Sequence, residues 1–84
     1  MVDVEKIKKD LDSIEKFKNT TLNYNEEKDI YDIYSKIMMD EEKVKDIFNN
    51  IDNLDYTYCN YGIFEYWFSP ENSKKVIREL KKKF

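Results

Sequence analysis

The side chains with which this 84-residue chain could do chemistry are carboxylates, hydroxyls and amines. It has 18 Asp and Glu, 15 Lys and Arg, one cysteine and no histidine. Without an imidazole, neither a Ser-His nor a Cys-His nucleophile pair can form. The lone Cys59 excludes an internal disulfide, and with no histidine there is no thiolate or imidazole cage for a metal. A single glycine, Gly62, leaves no glycine-rich loop to cradle phosphate. The acids do not follow the spacing of a calcium-binding loop. The expectation is a protein that is not an enzyme, with no catalytic residue, no cofactor and no metal.

Binding is the chemistry that remains. Between residues 25 and 60 there are ten acids and four bases; from residue 61 onward there are three acids and six bases. Asp29, Asp32, Glu41, Glu42 and Asp46 mark the acidic stretch, interleaved with tyrosines. Carboxylates so arranged can look, to a basic protein, like a nucleic-acid backbone. This composition is similar to that of small acidic inhibitors of nucleic-acid-binding proteins, including some phage-encoded anti-defence proteins. The likeness implies a protein-binding module whose partner has a basic surface. An ordinary solvated acidic face accounts for the same residues.

The second concentration of binding potential is "DYTYCNYGIFEYWF", residues 55 to 68, which holds more than half of the aromatics. A short chain needs most of its large apolar side chains for its core. If the hairpin turns through a three-residue loop, Asn60-Tyr61-Gly62, then Tyr58 pairs with Phe64, Tyr56 with Tyr66 and Leu54 with Phe68. All six then share one apolar face. Clean segregation is evidence for register, so this is the expected one. It leaves Tyr61 at the turn and Trp67 behind the core face as candidate partner-binding aromatics, since Trp and Tyr dominate interface hot spots. A homodimer through Trp67 and the terminal helix, forming a structural subunit of a larger assembly, is an alternative.

These residues need elements to hold them. Val4, Ile7, Leu11 and Ile14 form one apolar stripe and predict a helix over 3–18, capped by Asp3. The segment 19–24, rich in Asn and Thr, reads as a loop or a short strand. "NEEK" from Asn25 and "DEEK" from Asp40 both resemble helix starts, with a cap followed by two glutamates. Ile30, Ile33, Tyr34 and Ile37 recur at helical spacing after the first, and Val44, Ile47, Phe48 and Ile51 after the second. Helices over 25–38 and 40–52 follow, then a hairpin over 54–68. Ser69, Pro70 and Glu71 start a last helix over 70–84, with Ser69 as cap.

The expected architecture is α+β in one domain, 1–84, ordered helix, short strand, helix, helix, hairpin, helix. That order resembles a winged-helix domain with an added C-terminal helix; a helical bundle packed on a two-stranded hairpin is the alternative. The resemblance implies a DNA-binding regulator, for which Lys74, Lys75, Arg78, Lys81 and Lys82 supply the cations. Against nucleic acid stands the reading helix over 40–52, whose exposed residues include Glu41, Glu42 and Asp46 where a basic footprint is needed. No apolar run approaches the ~20 residues of a membrane span, and the charged N-terminus is unlike a signal peptide. A cytoplasmic location away from membranes is expected.

Overall fold

Isoleucine and tyrosine fill the stretch 30–37, and its inward positions fall at every second residue. In the computed structural model, which describes residues 3–84, this stretch is a strand. The elements run α1 (Val4–Asp12), β1 (Phe17–Asn25), β2 (Ile30–Ile37), α2 (Glu41–Asn49), β3 (Tyr56–Asn60), β4 (Ile63–Phe68), a 3₁₀ turn (Pro70–Asn72) and α3 (Ser73–Lys83). The four strands form one antiparallel sheet in the order β1-β2-β4-β3. The expected α+β class therefore holds, but with two hairpins rather than one.

The helix expected over 25–38 is replaced by a turn and β2. Asn25 does accept a backbone bond, from Lys28 N at 3.1 Å, but the hydrogen bond closes a turn that ends in Asp29 at φ 52°. The same type of bond at Asp40, accepting from Glu42 N at 3.0 Å, does start a helix, α2. Asn and Asp side chains serve both purposes, so the cap signal is ambiguous. Period two places Tyr31, Ile33, Ser35 and Ile37 inward, all buried. β-branched and aromatic residues favour that choice over a helix. With β2 in the sheet, the expected three-helix core of a winged-helix domain loses its middle helix.

The first helix is also shorter than the expected 3–18. Ser13 ends α1, its hydroxyl donating to the Asp10 carbonyl at 2.7 Å. The chain then turns through Ile14, which stays buried, into β1. The 19–24 segment is strand throughout, with an extra residue between Lys18 and Thr21, where Asn19 adopts φ 55°. This is a β-bulge. At the other end, where a helix over 70–84 was expected, Pro70 opens the 3₁₀ turn and α3 follows only from Ser73. Ser69 takes the extended cap conformation, yet its side chain makes no capping bond. Instead the Ser73 hydroxyl donates to the Pro70 carbonyl at 2.8 Å.

The hairpin register is the other correction. Cys59 faces Phe64, Tyr58 faces Glu65 and Tyr56 faces Trp67. The loop is the two residues Tyr61 and Gly62, both left-handed at φ 53° and 78°, as the twist-matched two-residue turn requires. The expected register assumed that the hairpin had to segregate apolar residues by itself. In the sheet, β4 is central and pairs with β2 as well, so Phe64, Tyr66 and Phe68 alone supply the inner face, and β3 is an edge. Tyr56 and Tyr58, expected in the core, are exposed.

All three helices pack on one side. Ile7 and Leu11 of α1, Val44 and Phe48 of α2, and Val76, Ile77 and Leu80 of α3 form a single core with the inner faces of the strands. Phe48 stacks on Phe64 with ring centroids 5.6 Å apart, and Phe84 meets Phe17 edge-on at 5.2 Å. A buried polar chain crosses three strands beneath them. Thr20 Oγ1 lies 3.2 Å from Ser35 Oγ, which lies 2.8 Å from Tyr66 Oη. Among the described residues no buried side-chain polar atom lacks a partner.

Candidate functional site: the open face of the sheet

Helices on one side leave the other side of the sheet facing solvent, and strand alternation decides what is displayed there. The register aligns two rows across β2, β4 and β3. One is Asp32, Trp67 and Tyr56; the other is Tyr34, Glu65 and Tyr58. Strands about 4.8 Å apart and a step of about 7 Å along each make this a platform of roughly 10 Å by 7 Å. Ile63 extends it toward the hairpin turn, where Tyr61 is 92% exposed. Tyr58 is 54% exposed and Ile63 45%, while Tyr34 and Tyr56 lie just past one third.

Trp67 organises the platform. Its indole N–H donates to Asp32 Oδ1 at 2.8 Å and to Glu65 Oε2 at 3.1 Å. The Tyr56 ring lies against it with centroids 4.5 Å apart. The Lys28 ammonium sits 5.3 Å from its ring centroid, a cation–π distance. Two carboxylates on one indole are like charges in close contact. Burial, then the neighbouring Glu65, raises the Asp32 carboxyl above the usual range. Burial pushes Glu65 up as well, but hydrogen bonding to Tyr34, Asp32 and Trp67 outweighs it and holds Glu65 below. The pair thus keeps a proton on Asp32 to higher pH than an isolated aspartate would. Hydrogen bonding to Glu65 likewise raises the Tyr34 hydroxyl.

The expected acidic site is not one surface. Asp32 lies on the open face, and Asp29 in the adjoining β1–β2 turn, where it accepts from the Tyr24 hydroxyl. That bond is the main reason the Tyr24 pKa is pushed up to about 12. Glu41, Glu42 and Asp46 belong to α2, behind the sheet. Lys45 sits between the first two, at 3.3 Å from Glu41 Oε1 and 3.8 Å from Glu42 Oε1, which offsets part of their charge. Cys59, beside α2, is half-buried, and that burial raises its thiol, as in an unreactive cysteine. Lys74, Arg78 and Lys81 face a groove between α1 and α3, away from the open face. Lys75 and Lys82 are exposed beside them.

Of the expected aromatics, Trp67 is the hub and Tyr61 stands at the tip. Tyr34, Tyr56, Tyr58 and Glu65 were not expected at a site. Their placement follows from the period-two pattern of 30–37 and from the two-residue Tyr61-Gly62 turn, which helical spacing and the segregation of the hairpin's apolar residues mask in the sequence. Among the described residues no group of three or more Cys, Asp or Glu could hold a metal ion, and no helix is long and apolar enough to cross a membrane. Scans against protein-family models, curated proteins and solved structures find no match for this chain.

Proposed function

We propose that this protein is a non-catalytic binding module, of the acidic-inhibitor kind, that holds a basic segment of a partner protein on the open face of the sheet. One observation carries the reading. A cation already occupies the platform: the Lys28 ammonium lies over Trp67, whose indole N–H is held by the two carboxylates. An incoming Arg or Lys finds aromatic rings to stack on and carboxylates to pair with. Tyrosines supply contact area at low entropic cost. The acids of α2 lie elsewhere on the surface, and their role is to favour a basic partner at long range.

Trp67 is the only tryptophan in the chain, so its fluorescence reports on the platform directly. Titration with an Arg- and Lys-rich peptide is expected to shift that emission. Glu65→Lys is expected to abolish the shift with circular dichroism unchanged. Emission that stays constant at saturating peptide, or an undiminished response in Glu65→Lys, would sink the reading. Self-association is the competing outcome. A dimer in light scattering that dissociates in Trp67→Ala would replace the basic partner with a second copy.

A further inference from the structure

On the helical side of the molecule a groove of about 460 Å³ runs between α1 and α3. Ile7, Ile77 and Tyr31 line its apolar part, and Lys6, Lys74, Arg78 and Lys81 line it with cations. Lys74, Arg78 and Lys81 are spaced four and three residues apart on α3, one face of a helix. The ion pairs among the described residues join Lys8 to Asp12 and Lys45 to Glu41 and Glu42. None of the four groove cations takes part. Four cations around an apolar floor, in a chain whose net charge is −3, are a local reversal of the molecule's field.

We infer that this groove is a binding site for a compact organic anion of nucleotide size, with phosphate on the cations and the rest of the ligand lying across Pro70 and the edges of Ile7 and Ile77. The volume falls within the range of small-ligand clefts. Arg78 offers the planar fork that suits phosphate, and the lysines add point charges. Asp3 and Asp10 also line the groove. Asp3 is engaged as the cap of α1, accepting from Lys6 N at 3.0 Å, which leaves Asp10 to accept from a ligand hydroxyl or amine. These two acids, with the acidic residues 25–60 beyond, disfavour an extended polyanion and favour a short one. Tyr31 is only 2% exposed, so no more than its edge reaches the groove. The site is separate from the open face of the sheet and independent of the function proposed for that face.

The test is a heteronuclear NMR titration of the full chain with inorganic phosphate, AMP and ATP at low ionic strength. Amide shifts are expected at Lys6, Ile7, Ile77 and Arg78, with affinity rising from phosphate to AMP to ATP. Trp67 fluorescence should stay unchanged. The pair Lys74→Glu and Arg78→Glu, both at exposed positions, is expected to weaken ATP binding at least about tenfold. If that reversal unfolds the chain, Lys6→Gln with Lys81→Gln carries the same comparison. The inference is overturned by an absence of shifts at millimolar ATP, by AMP binding no better than phosphate, or by charge variants that bind equally. An oligonucleotide binding where mononucleotides do not would also overturn it, in favour of a nucleic-acid track.

Discussion

Ser35 shows how much one small residue can carry. Its hydroxyl is the middle of the Thr20–Ser35–Tyr66 chain and is fully buried. Ser35→Ala strands the Tyr66 and Thr20 hydroxyls in the core, so a loss of about 1–3 kcal/mol in urea unfolding is expected. Adding Tyr66→Phe removes one stranded hydroxyl, so the double variant is expected to lose less than the two single losses combined. Asp32 makes a prediction with a sign. Its pKa is raised in the fold, so the native state holds this proton to higher pH than the unfolded chain. Ionised Asp32 therefore costs stability above its raised pKa, and the cost disappears as pH falls through it. Glu65, held low, runs the other way: its contribution is present above its unfolded value and is lost as pH falls through its folded one. In Asp32→Asn the amide oxygen can still accept from Trp67, and its NH₂ can donate to Glu65. Partial exposure screens the effect, so a gain of up to about 1 kcal/mol at neutral pH is expected. The gain should vanish under acid conditions; thermal unfolding at the two pH values measures both.

At the scale of elements, the turn at Tyr61-Gly62 sets which residues form the platform. A Cβ added at Gly62 meets nothing within 4 Å, but φ is 78°, so Gly62→Ala costs backbone strain alone, about 1–2 kcal/mol. Asparagine tolerates the left-handed conformation better than tyrosine. Tyr61→Asn is therefore expected to raise the melting temperature, by a stability gain of about 0.5–1 kcal/mol. The α2 start, the terminal helix and the existence of the 54–68 hairpin were legible because each carries a local signal: an Asp cap, a proline at the helix start, and a lone glycine between aromatic runs. β2 was not legible. Ile30, Ile33, Tyr34 and Ile37 satisfy helical spacing while Tyr31, Ile33, Ser35 and Ile37 satisfy strand spacing, and a short apolar run fits both. Pairing with β1 and β4 breaks the tie, and that is a long-range event. The site inherited the same ambiguity, since Tyr34 and Asp32 share a face only if 30–37 is a strand.

For the whole molecule, Phe84 joins distant parts of the chain. Phe84 lies against Phe17 of β1 at 5.2 Å and Phe48 of α2 at 5.8 Å. It is half-buried, so Phe84→Ala is expected to cost about 2 kcal/mol, less than the ~3–5 kcal/mol of a fully buried phenylalanine. A melting temperature unchanged in Phe84→Ala would show that the closure of α3 over β1 and α2 is unimportant.

Composition determined that imidazole chemistry, internal disulfides and glycine-rich phosphate loops are absent, because the chain has no histidine and only one cysteine and one glycine. Local sequence also determined where several elements start, because caps and prolines act within a few residues. Only the tertiary structure decided that β4 is a central strand, and this turned Tyr56, Tyr58 and Trp67 outward together. The physical reason is that a strand's two faces are equivalent until something covers one of them. Here the three helices cover the side bearing Phe64, Tyr66 and Phe68, and solvent keeps the other.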